Sequence, residues 1–574
     1  MTKLHITEVD YNDSFEKQLY NLDGSKDYYI NNFPVLYVIY TLSKAKYAYI
    51  GETNSIVRRT QQHLLDDQDN KHEPKFNNLH HMLVIGEETF NKSATVNLET
   101  RLINLFLADN FKLSNTKQTK LLSTNDYYQK EYYDDVVLKD LWAILRKRHL
   151  VNESIDFLEN SDVYKISPFK SLSSSQLTLK EEVIKVSQNW LKSYNQDQKP
   201  AIYIVKGDAG VGKSVVLSSI YNEIQNISHN KNVKENALYQ TNNYLLVNHN
   251  EMLKQYHHLA KRLKNLSKNH ILKPTTFINE IDKGKHDIAD VTLVDEAHLL
   301  LTSKDKYNNF IYQNQLEEVI KRSKVTVLFF DPHQFLKLKS YWNESDLQPF
   351  KQKYKHKEFC LTEQFRINAG PSVLHWINDF VNCKIDEFPK IHEQGKSYDF
   401  RIFNNGNDMF EAIKKRNREC KLSRVVSTFD YEYHIPKKSK IGEKEATYKV
   451  QAGTLELPWN TTNNDNSWAE RDETINEAGS IYTIQGADLN YVGVILGPSI
   501  SFDEHKNELK ILPNKYKDTD AFRGRHDLSN RELAKKQIIL NSINVLMKRG
   551  IHGLYIFAED KKLRSKLVSL NHQN

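Results

Sequence analysis

The period of the apolar positions changes along the chain, and those changes divide it. Residues 1–33 are acidic and aromatic without a clear period and receive no assignment. From Pro34, VLYVIYTLSKAKYAYIGET reads as two β-rich runs joined by a polar turn, which predicts a hairpin. SIVRRTQQHLL then takes helical spacing. TVNLETRLINLFLAD is an amphipathic helix, with Val96, Leu102, Ile103, Leu105 and Phe106 apolar. A compact α+β unit is expected over 34–120. Residues 121–165 read as a connector whose Val137, Leu141, Ile144 and Leu145 share one helical face, so part of it is a packed helix. YKISPFKSLSSSQL, with its Pro and clustered Ser, marks a turn before the next domain.

Beyond that turn the pattern becomes short, continuously apolar runs separated by helical stretches: AIYIVKG, YLLVNHN, VTLVDEAH, VTVLFFDPH, RVVSTF, GVILGP and GLYIFAE. Such runs predict parallel strands covered on both faces. They are too many for one doubly wound sheet, so two lobes are expected, over 166–340 and 341–574. The fold class is therefore α/β, with a small α+β domain ahead of two parallel-sheet lobes.

Composition narrows this picture. At 574 residues the chain exceeds a single core, and an apolar share of 39% with 27% charged residues argues against wholesale disorder. The net charge of +7 permits a phosphate-rich partner without requiring one. Cys360, Cys383 and Cys420 show no CxxC spacing, which disfavours a disulfide framework or structural zinc and fits a reducing compartment. The opening MTKLHITEVDYNDSF lacks a signal-peptide pattern, and no apolar run reaches the roughly eighteen residues of a membrane span. A cytoplasmic protein without a membrane partner is expected.

The clearest chemical motif is GDAGVGKS. Gly207, Asp208, Ala209, Gly210, Val211, Gly212, Lys213 and Ser214 match GxxxxGK[ST] between an apolar strand and a helix. Its glycines let backbone N–H groups turn toward phosphate oxygens, Lys213 neutralises β/γ oxygens, and the Ser214 hydroxyl is placed for Mg²⁺. In VTLVDEAH, Asp295 would hold the magnesium and Glu296 would activate the attacking water. ATP and Mg²⁺, or another divalent cation, are the expected cofactors.

Further segments extend the reading: VTVLFFDPHQ with Asp331 and Gln334, LTEQFRINAG with Arg366, SIYTIQGADLNYVGVIL with Thr483, Gln485, Gly486 and Asp488, and NVLMKRGIHGLYIF with Arg549. Together with SPFK and LPWN, they resemble a superfamily 1 helicase, most closely the schlafen-type helicase domain, over about 163–562. The resemblance implies two RecA-like lobes with ATP in the cleft between them. It implies that Gln176 reads adenine, that Gln334 senses the γ-phosphate, and that Arg366 and Arg549 from the second lobe complete the site. Asp488 stands where the family pattern carries Glu. The basic stretch KQYHHLAKRLKNLSK, with Lys254, Lys261, Arg262, Lys264 and Lys268, reads either as a solvated helix face or as a strand contact.

The N-terminal unit resembles the GIY-YIG endonucleases over about 34–116. Val38, Ile39 and Tyr40 stand for the first signature, with Val38 replacing its glycine, and Tyr49, Ile50 and Gly51 for the second. Arg59 and His63 follow at a helical interval, then Glu99 and Asn115. The resemblance implies that Glu99 holds the divalent metal, Arg59 stabilises the phosphorane charge, Tyr40 deprotonates or orients water, and Tyr49 and His63 support them.

The leading expectation is an ATP-dependent helicase or translocase that delivers nucleic acid, DNA rather than RNA, to a metal-dependent endonuclease in defence against foreign DNA or in repair. The alternatives are an ATP-gated sensor that switches its nuclease without processive unwinding, and a non-cleaving binding module. A homo-oligomer and an additional defence-system subunit both stay open.

Overall fold

The computed structural model describes residues 3–20, 25–42, 45–69, 79–116, 126–195, 199–208, 210–305, 309–331, 335–338, 344–363, 367–393, 395–433, 448–461, 468–484, 488–524, 528 and 530–572. The chain forms two compact units. The first comprises 1–203, 214–295 and 322–327, and the second 204–213, 296–321 and 328–574.

The first unit opens on a five-stranded sheet in the order β1-β4-β2-β3-β5. Its strands are β1 (His5–Asp10), β2 (Val35–Leu42), β3 (Lys46–Thr53), β4 (His81–Gly86) and β5 (Lys112–Leu113). The predicted hairpin is β2–β3, antiparallel, with Tyr37 opposite Gly51 and Tyr40 opposite Ala48. Helices α1 (Phe15–Tyr20), α2 (Ser25–Asn32), α3 (Ile56–Asp69) and α4 (Lys92–Ala108) accompany the sheet.

Residues 1–33, without assignment in the sequence, belong to this domain. β1 pairs with β4 along its length, from His5 opposite Gly86 to Asp10 opposite His81. Phe15, Leu19 and Ile30 bury into the same core as Tyr37, Ile39, Tyr49 and Ile56. The missing signal was period: β1 reads exposed only at Glu8 and Asp10, too short a run to stand out. The connector contains the expected helix, α5 (Leu138–Lys147), which buries Leu138, Leu141, Trp142 and Leu145. Asp109, at the end of α4, accepts the amides of Asn152 (3.0 Å) and Glu153 (3.1 Å) and so ties the connector to the domain.

The seven apolar runs fall into two sheets. The first has the order β11-β6-β10-β9-β7-β8, from β6 (Ala201–Gly207), β7 (Asn243–Val247), β8 (Ile271–Leu272), β9 (Ala289–Asp295), β10 (Ser323–Phe330) and β11 (Lys355–Leu361). β7 runs parallel to both β8 and β9. Strands β6 and β10 contribute to both units, and β11 gives this sheet an edge strand from beyond residue 340. Helices α6 (Ser174–Ser193) and α7 (Lys213–Ser228) flank it in sequence, followed by α8 (Asn250–Ala260).

The other sheet lies wholly in the second unit. It comprises β12 (Asp399–Ile402), β13 (Ser423–Ser427), β14 (Ala478–Gly479), β15 (Leu489–Leu496) and β16 (Gly550–Ala558), and its pairings are parallel. Helix α9 (Arg531–Met547) packs against it and is buried almost throughout its C-terminal half, from Ile538 to Met547. Among the described residues no helix is long and apolar enough to cross a membrane.

Candidate functional site

The hairpin register decides which side chains of the N-terminal domain can meet. Side chains alternate across a strand, so Tyr37 and Ile39 share a face of β2 while Tyr40 takes the other. In the antiparallel register that first face continues onto Tyr49 and Gly51 of β3. There Tyr37 Oη lies 2.9 Å from His63 Nε2, and the rings of Tyr49 and His63 meet edge to face at 5.2 Å. The Arg59 guanidinium is stabilised electrostatically by both tyrosines. Arg59 and His63 reach the same cluster because they stand one turn apart on α3.

Gly51 is required by this packing. A Cβ there would lie 2.3 Å from Tyr37 Oη, inside the ring it faces. The glycine of the YIG signature thus makes room for the tyrosine opposite.

Tyr40 is outside the cluster. Its hydroxyl donates to Glu8 Oε1 at 2.7 Å on the other face, where its ring meets His81. The β2 tyrosine beside Tyr49 and His63 is Tyr37, which the sequence reading passed over. Both Val35-Leu36-Tyr37 and Val38-Ile39-Tyr40 end in tyrosine, and counting alternation back from Gly51 would have chosen between them.

Glu99 projects from α4, which Asn91 caps by accepting the Ala94 amide at 3.0 Å. Burial pushes the Glu99 carboxyl up to about 8, and the nearby Glu52 carboxylate adds to the rise. Lys92, the Glu52 amide and Arg59 oppose it. Lys92 is itself paired with Glu52 at 2.5 Å. Asn115 sits apart from this chemistry. Its Oδ1 accepts the Ile50 amide (3.1 Å) and its Nδ2 donates to the Ile50 carbonyl (2.8 Å), so it holds the backbone of the YIG segment.

The phosphate loop follows β6. Gly210 and Gly212 take φ of 89° and 76°, a region that only glycine enters without strain. Lys213 is 6% exposed. Its Nζ donates to the Gly207 carbonyl (2.6 Å) and the Asp208 carbonyl (2.9 Å) and pairs with Asp331 at 3.1 Å. Asp331 in turn donates its amide to His298 Nδ1 at 3.4 Å. Burial lowers the pKa of His298, so its 3.5 Å approach to Glu296 joins a neutral ring to a carboxylate and is no ion pair. Glu296 adopts φ 48° and ψ 50°, a left-handed backbone that a non-glycine residue keeps where its surroundings over-determine it.

In the first unit, Ser214 lies half-buried in the opening turn of α7. Asp295 is fully buried at the end of β9 and accepts the Tyr256 hydroxyl at 2.8 Å. Gln176 has a local role: it completes a capping box at α6, its Oε1 accepting the Ser173 amide and its own amide donating to Ser173 Oγ. The S-x-x-Q spacing carries that signal. Arg549 is 2% exposed, between α9 and β16, and its carbonyl accepts the Leu489 amide at 3.0 Å. Thr483 and Ser480 cap one another. Ala209, Gln334, Arg366, Gln485 and Gly486 lie outside the described residues.

The basic stretch divides. Lys254, Lys261, Lys264 and Lys268 are exposed. Arg262 is half-buried and forks onto the Leu107 (2.8 Å) and Ala108 (3.2 Å) carbonyls and Asn110 Oδ1 (2.6 Å). It caps the C-terminus of α4, so it is a docking residue within the first unit.

Residues 200–560 match the Schlafen group 3 DNA/RNA helicase domain, and residues 33–113 the GIY-YIG catalytic domain. The chain is 40% identical over 419 residues to the uncharacterized protein YPL245W of Saccharomyces cerevisiae, covering 69% of this chain and 90% of that protein. Among solved structures it aligns with the Pif1 helicase of Candida albicans (12% identity, TM-score 0.26, 70% of this chain and all of that one). It also aligns with S. cerevisiae Dbp5 bound to RNA and ADP BeF3 (11% identity, TM-score 0.24, 73% and 90%). Scores this low carry no argument. The match over most of the chain does, and with two parallel-sheet lobes behind a small nuclease sheet it shows that the chain belongs to the Schlafen group 3 helicase family and carries a GIY-YIG domain ahead of its helicase domain.

Proposed function

We propose that this protein is an ATP-hydrolysing motor on nucleic acid that carries a divalent-metal-dependent endonuclease, with DNA as its substrate, in defence against foreign DNA or in repair. The observation that supports cleavage best is the convergence of Tyr37, Tyr49, Arg59 and His63 on one sheet face, with Glu99 within electrostatic reach of Arg59.

The donor set fits a hard divalent cation. Glu99, raised to about 8, sits near a second carboxylate and is eased by Lys92, the Glu52 amide and Arg59. A bound Mg²⁺ would supply phosphate polarisation there, with Glu99 as its protein ligand. Tyr37, whose hydroxyl burial keeps protonated, would orient the attacking water and take up its proton while passing its own to His63 Nε2, 2.9 Å away. Arg59 stabilises the charge that develops on the phosphorane oxygens. Tyr49 holds Arg59 in place.

In the motor, the amides turned by Gly210 and Gly212 and the ammonium of Lys213 receive the phosphates. Ser214 and Asp295 would hold the nucleotide's Mg²⁺, and Glu296 accepts the proton of the attacking water. Arg366 and Arg549 act on the γ-phosphate charge, Gln334 reports its presence, and Gln176 reads the base. The test is to incubate the purified protein with duplex, forked and single-stranded DNA and RNA, with and without Mg²⁺ and ATP. Mg²⁺-dependent nicking together with DNA-stimulated hydrolysis is expected. Hydrolysis without nicking of any substrate would refute the nuclease half.

A further inference from the structure

One helix touches both chemistries. On α8, Tyr256 is 1% exposed and its hydroxyl donates to Asp295 Oδ2 at 2.8 Å. Asp295 is fully buried, and a buried carboxylate is held by such donors rather than by water. Tyr256 therefore sets how Asp295 presents its oxygens. The Arg262 amide donates to the Leu259 carbonyl at 3.0 Å, so Arg262 continues the last turn of the same helix. Six residues on from Tyr256, about 9 Å along a helix axis, its guanidinium grips the carbonyls of Leu107 and Ala108.

Those carbonyls are the unsatisfied acceptors at the end of α4, the helix that carries Glu99. The Arg262 carbonyl also accepts the Leu113 amide at 3.0 Å. Leu113 ends β5, which pairs with Tyr47 and Ala48 of β3. Two residues on, Asn115 clamps Ile50 between Tyr49 and Gly51. Every residue in this series lies in the first unit. His257 Nε2 meets the Ile271 carbonyl at 2.8 Å, which anchors the helix midway to β8.

We infer that α8 couples nucleotide occupancy to the nuclease: Tyr256 is a positioning residue for Asp295, and Arg262 passes the resulting shift of α8 to the helix of Glu99 and the strand of Tyr49. When a cation arrives near Asp295 the carboxylate shares its charge and its bond to Tyr256 weakens. A rigid helix held at Tyr256 and, just past its end, at Arg262 transmits that change as a small displacement at Arg262. The inference rests on the nucleotide role proposed for Asp295, and it makes the ATP site a regulator of cleavage.

The test follows amide hydrogen exchange in the full-length protein, with and without Mg²⁺ and a non-hydrolysable ATP analogue. The Leu113 amide should change its exchange rate by roughly fivefold or more on nucleotide addition, the lower end of ordinary coupling. Tyr256→Phe, which removes one hydroxyl, should abolish that response while nucleotide still binds. Arg262→Lys keeps the charge but not the fork, and should abolish it too. Lys261→Ala, an exposed neighbour, should keep it.

Plasmid nicking in the same preparations should change with nucleotide in the parent and Lys261→Ala proteins, and become independent of nucleotide in Tyr256→Phe and Arg262→Lys. No response at Leu113 in the parent, or the same response in Tyr256→Phe and Arg262→Lys as in the parent, overturns the coupling. A parent that responds at Leu113 yet nicks nothing refutes the proposed nuclease activity and leaves the coupling standing.

Discussion

Lys213 and Glu99 carry the central charges of the two sites, and they meet their surroundings in opposite ways. The ammonium of Lys213 is enclosed by the Gly207 and Asp208 carbonyls and the Asp331 carboxylate, so its charge is balanced within its own unit. Glu99 lies half-buried near another acid, and the ammonium of Lys92 that eases it is paired with Glu52. A site balanced by its own acceptors is preorganised and exchanges those partners for phosphate. A carboxyl raised to about 8 holds a proton at neutral pH, and a cation that enters must displace it. The difference predicts that metal dependence will be sharpest at Glu99.

The largest effects should separate the two sites completely. Lys213→Ala should reduce ATP turnover to background and leave the nuclease fold intact, while Glu99→Ala should remove cleavage with ATP turnover unchanged. Measuring both activities in both variants checks this, and a Glu99→Ala protein that cuts at the parent rate would end the comparison.

Next, Tyr37→Phe should lower cleavage by about 10²- to 10⁴-fold, the usual range for a lost proton-transfer group. Nicking rates at saturating Mg²⁺ decide it, and a parent-like rate would mean that Tyr37 only packs.

A smaller effect concerns pH. The fold raises the Glu99 pKa to about 8, so the folded state holds its proton more tightly than the unfolded chain. The stability this supplies is complete at acid pH and is lost as pH rises through about 8. A cation competes with that proton. The Mg²⁺ concentration for half-maximal cleavage should therefore fall about tenfold per pH unit up to about pH 8 and then level off. The same half-saturating concentration at pH 6.5 and 8.5 would show that Glu99 needs no compensating charge.

The smallest effect belongs to Tyr40. Its bond to Glu8 is partly buried, so Tyr40→Phe should cost about 1 kcal/mol of stability and leave cleavage at the parent rate. Thermal melting and nicking assays measure the two, and a loss of cleavage matching that of Tyr37→Phe would return Tyr40 to the site.

The two sites also differed in how they could be read. The phosphate loop is a contiguous motif whose glycines are fixed by backbone geometry, so spacing alone located Gly210, Gly212 and Lys213. The seven apolar runs gave both parallel sheets because a strand covered on both faces cannot hide its composition. The nuclease signature is discontinuous, and a shift of three residues between Tyr37 and Tyr40 reverses the face. Only the partner strand resolves that ambiguity. Arg262 was illegible for a related reason: nothing in a run of lysines and histidines says which one meets the open end of a distant helix.

The placement of β1 matters for anyone who would isolate the nuclease. The family match begins at residue 33, yet the sheet edge is closed by His5–Asp10. A fragment cut at the match would bare β4, whose Met82, Leu83, Val84 and Ile85 are buried, and would strip Phe15 and Leu19 from the core. Such an edge recruits neighbouring chains. Aggregation of that fragment would then report a missing strand and say nothing about its chemistry.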